Sequence, residues 1–130
     1  MTQPQPSGSR VTLILPEAPS SNRYWRTHGH VTYKTREAKA YCESVRATML
    51  AYFPETEEEP LFATGDVRLD LTWHRSAKRG DRSNRLKILE DALQGTVYAD
   101  DKQIAAGWTE RVDEHPTIPK GHMLIEVSAL

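Results

Sequence analysis

With 130 residues, 38% of them hydrophobic, the chain carries enough apolar material for one domain with a modest core. A net charge of −1 does not point to a nucleic-acid partner, and the single cysteine, Cys42, excludes an internal disulfide or a zinc site built from cysteines. No apolar run approaches the ~20 residues of a membrane span, and a cytoplasmic location fits these features.

The opening stretch, MTQPQPSGS, is polar and rich in Pro, Ser and Gln. It lacks the charged and apolar regions of a signal peptide, so residues 1–9 are expected to be a disordered tail and residues 10–130 the domain. RVTLILP (10–16) alternates and reads as a strand ended by Pro16. EAPSSN is a loop. RYWRTHGHVTYKT (23–35) shows two short β-like pieces around Gly29, which predicts a hairpin. From Thr35 to Phe53 the period changes. Ala38, Tyr41, Cys42, Val45, Met49 and Tyr52 recur at spacings of three and four, the pattern of an amphipathic helix that Pro54 stops. Cys42 on this stripe reads as a small buried hydrophobe. ETEEE (55–59), between Pro54 and Pro60, reads as an exposed loop.

DVRLDLTWH (66–74) places Val67, Leu69, Leu71 and Trp73 on one face of a half-buried strand. RSAKRGDR (75–82) is a basic loop. Residues 83–94 form a second helix with Leu86, Leu89 and Leu93 on one stripe, Ile88 and Ala92 beside it, Ser83 as N-cap and Gly95 as stop. Two final strands follow, QIAAGWTER (103–111) and HMLIEVS (122–128). The expected fold is a single α+β domain, a mixed or antiparallel sheet carrying two helices.

Charge is segregated along the chain. Residues 75–87 carry Arg75, Lys78, Arg79, Arg82, Arg85 and Lys87 against one acid, Asp81; residues 23–39 carry Arg23, Arg26, Lys34, Arg36 and Lys39 against Glu37. A neutral chain can thus present a basic face. Within the second helix Ser83, Lys87 and Asp91 stand at i, i+4, i+8, with Asn84 near the same edge, Asp81 just before the helix and Asp100-Asp101 beyond it. A hard divalent cation such as Mg²⁺ takes oxygen ligands, polarises a phosphodiester and activates water. A lysine beside it can stabilise transition-state charge, and arginines can hold a DNA backbone. Carboxylates ringed by cations therefore suit hydrolysis of a polyanion. Spacing alone leaves the other reading open: Lys87–Asp91 as a surface ion pair, Asp81 and the Asp100-Asp101 pair as turn residues.

RGDRSNRLKILEDALQGTVYADDKQI (79–104) resembles the RusA family of Holliday junction resolvases of bacteria and their phages. The family signature runs approximately D-x-D-N-x-x-K-x-x-x-D-A-L, a short spacer, then D-D-x-Q-[IV]. Asp81, Asn84, Lys87, Asp91-Ala92-Leu93, Asp100-Asp101 and Gln103-Ile104 fall on it. The second family feature, P-x-S-x-N-x-x-W-R, is approached by Pro19-Ser20-Ser21-Asn22-Arg23-Tyr24-Trp25-Arg26. The resemblance spans roughly residues 10–128. It implies a homodimeric, Mg²⁺-dependent endonuclease that nicks paired strands of a four-way DNA junction in recombination and repair.

Carried over, Asp81, Lys87, Asp100 and Asp101 are the catalytic residues, and Asp81, Asp91, Asp100 and Asp101 the metal ligands. Asn22, Arg23, Arg26, Lys78, Arg79, Arg82, Asn84 and Arg85 are the expected DNA contacts. Ser83 departs from the family, which has a second acid there in many members; Asp91 or Asp100 then supplies the missing charge, or the metal binds more weakly. Two other readings accompany this one: a junction-binding protein that has lost cleavage, and a nuclease whose target is a fork or flap.

Overall fold

The computed structural model describes residues 10–19, 25–28, 31–34, 36–77 and 82–130, giving only the backbone course at 25–28, 31–34 and 82–84. The expected tail at 1–9 lies outside these residues, as do Asn22, Arg23, Lys78, Arg79 and Asp81.

Among the described residues, six strands and two α-helices follow in the order β1 (Arg10–Pro16), β2 (Trp25–His28), β3 (Val31–Lys34), α1 (Arg36–Tyr52), β4 (Val67–His74), α2 (Arg82–Ala92), β5 (Ile104–Val112) and β6 (His122–Ala129). β2 and β3 pair antiparallel as the predicted hairpin, a small sheet of its own. The main sheet is mixed, in the order β1-β6-β4-β5: β6 runs antiparallel to both neighbours, and β5 runs parallel to β4 at the edge.

Alternation along the strands sends one side chain in two to the same face. The register then aligns the inward residues in rows across three strands: Val11–Val127–Leu69, Leu13–Ile125–Leu71 and Leu15–Met123–Trp73. All nine are buried. Ala38, Tyr41, Val45 and Met49 of α1, Ile88, Leu89 and Ala92 of α2, and Leu93 just after it bury in the same core. Each such side chain contributes about 1.5–3 kcal/mol when fully removed from water, the smaller alanines less.

α1 ends before Pro54, which has no N–H to continue it. The stretch after it is more ordered than an exposed loop. Pro54–Glu57 forms a 3₁₀ turn whose Thr56 is buried and donates its hydroxyl to the Phe53 carbonyl at 2.7 Å. Cys42 is only partly buried, at the margin of the core, because it sits beside Tyr41 rather than at the centre of the stripe. α2 gives way to a tight turn at Gly95, whose φ of +94° is a left-handed conformation that glycine adopts without strain. Leu61 and Phe62, ahead of β4, bond to the carbonyls of Thr96 and Val97 at 2.9 and 2.8 Å, which sews that segment onto the turn between α2 and β5.

Candidate active site

The β4–α2–β5 crossover places the described part of the signature, from Lys87 to Gln103, at one end of the sheet. Along α2, Lys87, Glu90, Asp91 and Gln94 stand at i, i+3, i+4 and i+7 and share one side of the helix and its C-terminal turn. Lys87 is exposed; Glu90 and Asp91 are half-buried. Asp100 and Asp101 face the same corner from the start of β5, where Asp101–Gln103 forms a 3₁₀ turn.

That turn is held by a reciprocal cap. Oδ1 of Asp100 accepts the Lys102 N–H at 2.9 Å, and Oε1 of Gln103 accepts the N–H groups of Asp100 and Ala99 at 3.0 and 2.9 Å. The Gln103 amide also donates to the carbonyls of Phe62 and Gly65, both at 2.9 Å. Gln103 is thus a clamp that fixes the acid pair to the segment before β4. Asp101 is oriented by Gln94, whose Oε1 accepts the Asp101 N–H at 2.9 Å and whose Nε2 donates to Oδ1 of Asp91 at 3.2 Å.

The carboxyls differ in their electrostatics. Asp100 lies below the ordinary aspartate range, first because the Lys102 backbone N–H bonds to it and then through its bond with Asp101. Asp101 is pushed up, by partial desolvation first, then by its bond with Asp100 and the charges of Asp100 and Asp91. Glu90 is also raised, by burial and then by the charge of Asp101, with Lys87 pulling the other way. Negative groups facing one another across this corner are mutually destabilised, and a divalent cation would relieve them. Their all-oxygen donors are the chemistry such a cation takes, so the residues fit it. Among the described residues, no three side chains by themselves form a cluster that could hold a metal; Asp81 stands outside them.

Arg85, an expected DNA contact, is half-buried. It lies three and four residues before Ile88 and Leu89, on the core-facing side of α2. Its guanidinium sits 5.5 Å from the centroid of the Trp73 ring and donates through Nη1 to the Ala18 carbonyl. Its Nε is buried without a hydrogen-bond partner among the described residues. The positions of Arg82, Ser83 and Asn84 are known only as the first turn of α2, and that of Arg26 as part of β2.

Next to Arg85 is Glu17, which sequence reasoning passed over. Its carboxylate accepts the Trp73 indole N–H at 2.9 Å, the Ser76 hydroxyl at 2.5 Å and the Ser76 N–H at 3.2 Å. It ties the end of β1 to the end of β4, the roots of the 19–24 and 75–82 segments. No motif spacing marks it. Glu90 and Gln94 did carry a signal, their i+3 and i+7 spacing from Lys87.

No helix among the described residues is long and apolar enough to cross a membrane. No curated protein matches the chain. A family model described as endodeoxyribonuclease RusA matches residues 16–119, from the end of β1 to the segment before β6. The match takes in the whole acid- and lysine-bearing corner and most of the chain, which therefore belongs to the RusA family of endodeoxyribonucleases.

Proposed function

We propose that this endodeoxyribonuclease is a Mg²⁺-dependent Holliday junction resolvase, a homodimer that nicks paired strands of four-way DNA in recombination and repair. The family's nucleases generally use a divalent metal. What supports the reading is that Lys87 and Asp91 on α2 and Asp100 and Asp101 at the start of β5 all fall inside the matched span. The domain runs from residue 10 to 130 behind a short tail, and the protein works in the cytoplasm, where its DNA is.

Asp81, Asp91, Asp100 and Asp101 would hold the metal. Bound there, Mg²⁺ supplies a polarised phosphodiester and an activated water. The chain's own residues do the rest. Asp101, its backbone N–H held by Gln94, offers its carboxylate at the same corner. Lys87, exposed on the same side of α2, places a positive charge where the scissile phosphate gains negative charge. Asn22, Arg23, Arg26, Lys78, Arg79, Arg82 and Asn84 hold the DNA backbone, and Arg85 supports them from within. Two copies related by a two-fold axis would present two such sites, which paired nicking of a symmetric junction needs.

The test is cleavage of a synthetic four-way junction beside a linear duplex, with and without Mg²⁺, by wild type and Asp81→Asn. Wild type cuts the junction in paired nicks only with Mg²⁺; Asp81→Asn binds it at least as well, having lost a negative charge near phosphates, and does not cut. Preference for a fork or flap would reassign the substrate. Tight junction binding without cutting by wild type would make the protein a binding module, the outcome that Ser83 at a family acid position would then explain.

A further inference from the structure

We propose that Gln94 is a positioning residue that sets the geometry of the acid pair Asp91 and Asp101 for metal binding, an assignment that rests on the reading of these acids as metal ligands. One neutral side chain spends both ends of its amide on two site residues from different elements. Nε2 donates to Oδ1 of Asp91 in the last turn of α2, at 3.2 Å, and Oε1 accepts the backbone N–H of Asp101 ahead of β5, at 2.9 Å.

Gln94 is itself held. Its N–H bonds to the Asp91 carbonyl at 3.2 Å, it forms a β-bridge with Tyr98, and the Gly95 N–H after it bonds to the Tyr98 carbonyl at 2.7 Å. Tyr98, fully buried, anchors in turn by donating its hydroxyl to the Glu90 carbonyl. The amide therefore stands on a rigid turn rather than a loose loop. With one donor and one acceptor and no charge, it draws two carboxylate-bearing residues together; Lys has no acceptor for the Asp101 N–H, and Glu has no donor for Asp91 and would add to the repulsion. Groups that orient a metal's ligands from behind typically hold 10–100-fold of the metal affinity.

The experiment is Mn²⁺ binding, followed by electron paramagnetic resonance, to wild type, Gln94→Ala, Gln94→Met and Gln94→Glu. Junction affinity in EDTA and the Mg²⁺ concentration for half-maximal cleavage are measured on the same preparations. Gln94→Ala and Gln94→Met should lose about 10–100-fold in Mn²⁺ affinity and need correspondingly more Mg²⁺. Their metal-free junction binding should stay within about twofold of wild type, as a residue acting only on the metal ligands leaves phosphate contacts intact. Gln94→Glu keeps the acceptor for Asp101 but faces Asp91 with a charge, and should restore neither. If Gln94→Ala does not fold, Gln94→Met, which keeps the side-chain bulk, decides. Wild-type Mn²⁺ affinity in the folded variants overturns the inference alone, as does parallel loss of junction and metal binding. Failure of wild type to bind Mn²⁺ overturns the metal-nuclease reading and this inference with it.

Discussion

Trp73 and Glu17, 56 residues apart, meet where the indole N–H of Trp73 donates to the Glu17 carboxylate at 2.9 Å. Trp73 is 1% exposed, so its N–H has no water to turn to. Trp73→Phe removes that donor and little of the ring's neighbourhood. It should cost about 1–2 kcal/mol, the hydrogen bond plus some lost volume. Urea denaturation measures it; a cost below ~0.5 kcal/mol would show that Ser76 alone holds Glu17 in place.

Glu17 also makes stability depend on pH. Burial pushes its carboxyl up, but hydrogen bonds from Ser76 and Trp73 and the charge of Arg85 together outweigh that, and it lies below its ordinary 4.5. A folded value below the unfolded one gives stability that is complete above the unfolded value and lost as pH falls through the folded one. Wild type should therefore exceed Glu17→Gln in stability at neutral pH, with the gap closing below about pH 4.5. Denaturation midpoints from pH 7 to 3 check it, and a gap independent of pH would refute it.

Arg85 and Arg79 should separate in their salt dependence. Arg85→Met removes a guanidinium that covers Trp73 and bonds to Ala18, so it should cost about 1–2 kcal/mol of stability. The slope of log affinity against log salt for junction DNA should stay as it was. Arg79→Ala should leave stability unchanged and flatten that slope by about 1. A flattened slope with unchanged stability in Arg85→Met would return Arg85 to the DNA contacts.

Gly107 on β5 is a position where a single methyl group should be costly. A Cβ there would stand 2.1 Å from the Leu69 carbonyl oxygen, a backbone atom of the neighbouring strand. Neither strand can yield without breaking the ladder, so Gly107→Ala should destabilise by about 2–3 kcal/mol. Thermal unfolding would show this as a drop of several degrees; an unchanged midpoint would mean β5 is not packed as closely on β4 as described.

Ser83 sits where many family members carry an acid, at the start of α2. Ser83→Asp puts a carboxylate where the helix dipole favours one and should lower the Mg²⁺ needed for half-maximal cleavage. Ser83→Ala should cost about 1 kcal/mol or less. An unchanged Mg²⁺ requirement in Ser83→Asp, together with an inactive Asp91→Asn, would show that Asp91 already completes the site.

The sequence announced its elements because their signals are local. Alternation at Val67, Leu69, Leu71 and Trp73 and the three-four spacing from Ala38 to Met49 are properties of neighbouring residues. Strand order is not local. Nothing in HMLIEVS says that it lies between β1 and β4, or that β5 joins β4 in parallel. Arg85 shows a related limit: its charge argued for the surface and its spacing from Ile88 and Leu89 for the core, while its place over the ring of Trp73 depends on a distant strand. Glu17 was illegible because its partners, Trp73 and Ser76, come from another strand end. The 3₁₀ turn at Pro54–Glu57 hid behind its glutamates, since Thr56 alone is buried there.

The central place of β6 has a bearing on how the molecule comes into being on the ribosome. β1 is made first among the described sheet strands, yet its partner there is β6, residues 122–129. β4 likewise lacks one of its two neighbours until that segment emerges. Val11, Leu13 and Leu15 therefore wait, uncovered on one side, through the synthesis of more than a hundred residues. Long-range pairings of this kind form slowly and leave apolar strands open to wrong partners meanwhile. The same delay means that the α2–β5 corner has no completed sheet beneath it until residue 129 is in place.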